Sequence, residues 1–110
     1  MHSPLRLLDQ VLHIIEPARP LVEAVARRDR DLGSQIGRAL SSVGLNLSEG
    51  FGSAAGNARL RFESARGSLY EAQAGLRVAV AWGYLSARDC APVLEAIDRL
   101  RARVFRLSRR

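Results

Sequence analysis

The sequence predicts an all-α protein folded as an antiparallel up-down-up-down four-helix bundle. Apolar residues recur at three- and four-residue steps through four segments. No stretch alternates at period two over a useful length, and the connections between segments are short. Segments of roughly 20 residues, each about 30 Å long as helices, then bury their stripes by packing side by side.

In the first segment Leu5, Leu8, Leu12, Ile15, Val22 and Val25 form the stripe, with one longer gap across "EPARP". Pro17 and Pro20 each remove a backbone donor, yet the apolar phase survives them. The expectation is one kinked helix, or two nearly coaxial pieces, ending near "RRDRD". The second stripe is Leu32, Ile36, Ala39, Leu40, Val43 and Leu47. It should stop near Gly50 to Gly52, where glycine is free to take the left-handed cap conformation.

Asn57 is the expected N-cap of the third segment, whose stripe is Phe62, Ala65, Leu69, Ala72, Leu76 and Val80, carried to Gly83. The fourth opens on the sharpest start signal in the chain. In "LSARDC", Ser86 and Asp89 have capping-box spacing, and Leu85 and Cys90 occupy hydrophobic-staple positions. Val93, Ile97, Leu100, Val104 and Leu107 continue the stripe, with a bend expected at Pro92.

A chain of 110 residues is expected to form one domain spanning residues 1–110. At this size about two thirds of the unfolded surface can be buried, so a core without disulfides or metals is feasible. Cys90 is the single cysteine, which fits a reducing compartment. No signal-peptide h-region and no run of 18 apolar residues occurs, so no membrane association and a cytoplasmic location are expected.

Two polar seams flank the apolar stripes. On the second helix Gln35, Arg38, Ser42, Asn46 and Glu49 follow steps of 3, 4, 4 and 3, and Gly50 adjoins the last of them. On the third, Arg61, Ser64, Ser68, Glu71 and Gly75 run in parallel fashion. Such seams suit hydrogen bonding between helices or between subunits, against the simpler reading of a solvated polar face. Glu49, in the last turn of a helix, opposes the macrodipole by about 0.3–1 kcal/mol. It calls for an arginine partner, with Arg38, Arg61 and Arg66 as candidates, or for donors from the glycine turn.

These residues also carry a resemblance. "SQIGRALSSVGLNLSEGFG" resembles the signature of the four-helix-bundle proteins encoded in intervening sequences of bacterial 23S ribosomal RNA genes. It matches at Gln35, Ile36, Arg38, Ala39, Ser42, Val43, Asn46, Leu47, Glu49 and Gly50. "RFESARGSLYEA" is similar to a second element of that family, through Phe62, Ala65, Gly67, Ser68, Leu69 and Glu71, with a Gly-Tyr-Leu turn at Gly83, Tyr84 and Leu85. The resemblance implies a compact bundle that assembles into a ring-like homo-oligomer, commonly a pentamer. It also implies kinship with the accessory subunit of diversity-generating retroelements, which binds nucleic acid and a reverse transcriptase. The departures are Pro17 and Pro20 in the first helix and Gly37 and Gly44 in the second, each such glycine costing about 1 kcal/mol relative to alanine.

No enzyme motif is present: neither a phosphate loop, a dinucleotide fingerprint nor a nucleophile elbow occurs. A non-enzymatic protein without a cofactor is expected. His13 and Glu16 share a helix face, but a di-metal bundle needs carboxylates from all four helices and paired Glu-x-x-His motifs, so no metal is expected. Cys90 lies on an apolar stripe with no base beside it in sequence, and packing is its expected role.

Charge points to a phosphate-rich partner. The net charge is +6; residues 1–31 hold five arginines and five acids, whereas residues 32–110 hold twelve and six. Residues 99–110 carry six arginines and no acid. All seventeen basic residues are arginine, partly a codon bias. Arg99, Arg103, Arg106 and Arg110 share one face of the last helix and are the expected nucleic-acid contacts, against a solvated face with pairs such as Glu95 to Arg99. With six aromatic residues, several of them on apolar stripes, base stacking is not expected and binding to structured RNA or DNA should be phosphate-driven. The competing expectation is a scaffold that docks a partner protein such as a reverse transcriptase.

Overall fold

The computed structural model describes residues 4–109. Four helices follow one another: α1 (Pro4–Arg28), α2 (Arg30–Phe51), α3 (Ala55–Ala81) and α4 (Ala87–Ser108), with no strand among the described residues. The first reversal uses one residue. Asp29 donates its N–H to the Val25 carbonyl (2.7 Å), completing α1, and its extended backbone (φ −152°) turns the chain. Its carboxylate then accepts from the Leu32 N–H at 3.0 Å and caps α2. So tight a reversal forces the helices together: a Cβ at Gly33 would lie 2.8 Å from the Ala26 Cα.

Pairings along the helices show each neighbour running the opposite way. Gly37 faces Val22 and Gly44 faces Leu8 and Val11, so α2 climbs as α1 descends. Between α2 and α3 the pairs are Gly50 with Phe62, Ser42 with Ser68 and Ile36 with Gly75. Between α3 and α4, Gln73 bonds Asp98, Arg101 lies over Tyr70 and Arg66 over Phe105. The result is a rod of 42 × 23 × 19 Å, matching the roughly 40 Å that the 27 residues of α3 span. Of the four adjacent pairs, packing is most extensive between α2 and α3 and least between α1 and α4.

The core stripes of α2, α3 and α4 fall where periodicity puts them, through Ile36, Leu40, Val43 and Leu47, then Leu69 and Leu76, then Ile97, Leu100 and Val104. On α3 the stripe closes on buried Ala79, with Val80 only partly buried. Val25 is buried as expected and the Leu5 side chain lies outside those described, but through the first half of α1 the expected phase is off by one. The buried residues are Leu7, Val11, Ile14, Ala18 and Val25, whereas Leu12 is 44% exposed and Leu8 and Ile15 only flank the core. Leu7–Leu8, Val11–Leu12 and Ile14–Ile15 offer two adjacent stripes, and the packing of α2 and α4 selects one.

Of the two forms expected for the first segment, the structure shows the single helix, which runs through Pro17 and Pro20 to Arg28, whereas two expectations about helix ends are corrected. Both prolines are exposed, as are His13 and Glu16, whose carbonyls lose their donors, so solvent reaches those groups. At the end of α2, Gly52 has φ −92° and is not left-handed; Ser53 donates its hydroxyl to the Glu49 carbonyl instead (2.6 Å). Asn57 is not a cap: α3 begins after Ala54, which makes no side-chain cap bond, and Asn57 lies exposed within the first turn. The left-handed glycine is Gly83 (φ +81°), where the Tyr84 N–H meets the Ala79 carbonyl and the Gly83 N–H meets that of Val80. Ser86 caps α4 by accepting from the Asp89 N–H at 3.0 Å, and α4 runs on through Pro92.

The glycines of the bundle separate into those that permit contact and those that do not. Nothing lies within 4 Å of a Cβ at Gly67, so Gly67→Ala is expected to stabilise the fold by about 0.5–1 kcal/mol. Gly33→Ala, which meets Ala26 backbone, is expected to destabilise it despite the same gain in helix propensity. Urea unfolding of the two variants checks the opposite signs.

Candidate nucleic-acid interface

The polar seam joins α2 to α3 within one subunit. Asn46 donates through Nδ2 to the Ser42 carbonyl (3.0 Å) and to Ser42 Oγ (2.9 Å), and Ser68 donates its hydroxyl to Ser42 Oγ from across the gap (3.1 Å). Arg61 reaches back from α3 to Asn46 Oδ1 (3.4 Å) and pairs with Glu49 (Nε to Oε2, 3.0 Å). Glu49 thus has the arginine its unfavourable helix position called for. Both side chains are about half exposed, which limits the pair to about 0–1 kcal/mol. Arg66, another candidate partner, pairs instead with Glu63 at 3.7 Å.

Gly50 completes the seam sterically. A Cβ there would stand 2.5 Å from Phe62 Cε1, and at Gly75 one would stand 2.6 Å from Ile36 Cγ1. Both glycines let a large side chain of the neighbouring helix close on bare backbone. At the far end Gln35, Arg38 and Glu71 line a cleft of about 240 Å³ with Ser42 and Ser68. Those three side chains are exposed and make no hydrogen bond or ion pair among the described residues.

The four arginines expected to share a face, Arg99, Arg103, Arg106 and Arg110, divide into three groups. Arg99 and Arg106 are exposed and form no ion pair among the described residues, and the pairing of Glu95 with Arg99 does not occur. Arg103 is half-buried and donates to Gln10 Oε1 of α1, across the least packed side of the bundle. Arg110 lies outside the described residues.

On the other flank of α4 is a feature that sequence reasoning missed. Arg66, Tyr70, Arg101, Phe105 and Arg106 line a cleft of about 550 Å³ between α3 and α4. Arg66 and Arg109 lie over the Phe105 ring at 4.7 and 5.4 Å, and Arg101 lies over Tyr70 at 4.3 Å. Arg101 also donates to Gln73 Oε1 (2.6 Å) and pairs with Asp98 (3.0 Å). Each cation–π contact contributes about 0.5–1 kcal/mol and fixes a guanidinium; Arg66 and Arg101 also pair with Glu63 and Asp98, whereas Arg109 makes no ion pair among the described residues. The signal lay in the register: Tyr70 and Phe105 directly follow the core residues Leu69 and Val104, which turns them about 100° off the core face.

Cys90 is fully buried in the core near the start of α4, and burial first, then the Asp89 carboxylate, pushes its thiol above the usual value. Its reaction with an aromatic disulfide reagent is therefore expected to track unfolding, with the folded protein protected and the urea-unfolded chain reacting freely. No group of three or more His, Cys, Asp or Glu side chains is placed to hold a metal ion among the described residues, and His2 lies outside them. No helix of the described residues is long and apolar enough to cross a membrane.

The model of the family described as 23S rRNA-intervening sequence protein matches residues 12–106, which takes in the whole seam and the α3–α4 cleft up to Arg106. The chain belongs to that family. In this member of the 23S rRNA-intervening sequence protein family, the stretch from Gln35 to Gly50 forms the α2 side of an interhelical seam, with Gly50 seating Phe62. No curated protein and no solved structure shows significant similarity to the chain.

Proposed function

We propose that this protein is a non-enzymatic, self-associating bundle that binds structured RNA through arginines on α4 and along the α3–α4 cleft. The observation that supports it most is the state of those arginines. Arg99 and Arg106 stand exposed with no carboxylate partner among the described residues, and Arg66 and Arg109 are held on the Phe105 ring. Guanidinium groups held in place, with those of Arg99, Arg106 and Arg109 in no ion pair among the described residues, suit phosphate oxygens. The family description, which names a ribosomal RNA gene element, agrees with a nucleic-acid partner.

Self-association is favoured by α3, whose outward side carries Leu60 (64% exposed) and Val78 (44%) with Gly67 and Ala74 between them. A helix apolar on two sides asks for cover on both. Packing copies of α3 face to face would repeat the arginine tracts, giving a multivalent surface for a long anionic ligand. Light scattering on Leu60→Arg should then report a smaller particle than for the parent protein.

A gel-shift titration with a 20-base-pair RNA duplex tests the binding itself. Replacing both Arg99 and Arg106 by alanine is expected to weaken the complex about tenfold or more, or about 1.4 kcal/mol. An unchanged affinity would remove these two residues from the interface.

A further inference from the structure

Trp82 is the most exposed large apolar residue described, at 68%, and it sits where no core requirement places it. It ends α3, and the left-handed Gly83 that follows turns the chain so that the rings of Trp82 and Tyr84 stack at 6.4 Å with 16° between their planes. Tyr84 is half-buried against the core, and Arg28, from the last turn of α1, lies over its ring at 5.2 Å. The stack is thus anchored on one side and open to solvent at the indole.

We propose that the open face of Trp82 seats one unpaired nucleobase of single-stranded RNA, with Arg28 adding charge beside the stack. The inference rests on the nucleic-acid reading above but uses different residues and a different force. A flat ring held parallel to another ring offers a base the same layered contact that a neighbouring base would, about 1–3 kcal/mol per base. Charge at this end of the bundle favours an anion only modestly. Arg27, Arg28, Arg30 and Arg88 outnumber Asp29, Asp31 and Asp89, and the Asp29 carboxylate is spent on the α2 cap. Stacking therefore carries the contact, in contrast to the phosphate-driven cleft. Trp82 lies one turn beyond Val78 at the end of the outward face of α3, and Ala81, Gly83, Ser86 and Arg88, close to it in sequence, are exposed and add no large apolar side chain.

Trp82 is the sole tryptophan, so its emission reports the site directly. The full chain is titrated with hexaadenylate RNA and, separately, with the RNA duplex. The single strand is expected to quench Trp82 saturably and the duplex to bind without quenching. In anisotropy measurements with labelled hexaadenylate, Trp82→Ala is expected to weaken binding about 5- to 100-fold. Trp82→Phe should lie between, and both variants should keep the parent's helicity and duplex affinity. If both RNAs bind while Trp82 emission and hexaadenylate affinity ignore the site, the stacking proposal fails and the arginine interface stands. If neither RNA binds at low salt, both fail. A shift of Trp82 emission with protein concentration alone would mark the ring as a contact between copies and overturn the proposal.

Discussion

Leu69→Ala is expected to cost about 2–5 kcal/mol, a large share of the 5–15 kcal/mol that holds a domain of this size together. Leu69 is fully buried midway along α3, the helix that packs against both α2 and α4. Its removal leaves a cavity that three helices would have to close together, and the long antiparallel contacts of α3 resist local collapse. The alanine also strips apolar surface from the shared core, so the transfer and cavity losses add. Urea unfolding followed by helical circular dichroism should show the midpoint falling with little change in slope. A loss below about 1 kcal/mol would mean that α3 is not the central helix described here.

The second large effect concerns the close approach of α2 and α3. Gly75→Ala would bring a methyl group 2.6 Å from Ile36 Cγ1, and Ile36 is buried and β-branched, with few rotamers open to it. Overpacking of this kind costs about 1–3 kcal/mol, exceeding the gain in helix propensity. The same clash makes a double-mutant cycle informative. Ile36→Ala alone opens a cavity and destabilises, but it also removes the atom that the new methyl meets. The double variant should therefore be more stable than the two single losses predict, by about 0.5–3 kcal/mol of coupling. Strict additivity would contradict the packing of Ile36 on Gly75.

What the chain's periodicity reveals is the set of helices and most of the core, because a stripe at three- and four-residue steps can be buried by one geometry only. Ile36, Leu47, Leu76 and Leu100 are in the core for that reason. The phase of α1 was not legible because paired apolar residues at 7–8, 11–12 and 14–15 fit two adjacent faces equally well. Helix ends were read best where a side chain caps, as at Ser86, and worst where the backbone alone decides, as at Ala54 and Gly52.

The seam was legible for a comparable reason. Ser42, Asn46 and Ser68 are small or short polar residues beside a stripe, and their bonds are short-range consequences of α2 lying on α3. The stacking of Arg66 on Phe105 and the bond from Arg103 to Gln10 were not legible, since they join residues 39 and 93 positions apart across helix pairs whose rotation no local pattern states. Arg103 consequently left the outward row that its spacing suggested, and Arg66 and Arg109 took positions beside it that composition could not assign.

Affinity for a 20-base-pair RNA duplex, followed by fluorescence anisotropy from about 50 to 200 mM salt, addresses the arginine interface most directly. The predicted result is measurable binding at the low end that falls linearly in log affinity against log salt. The slope should flatten by about 1–2 when Arg99 and Arg106 are alanine. No binding at 50 mM salt, or binding indifferent to salt, would contradict it.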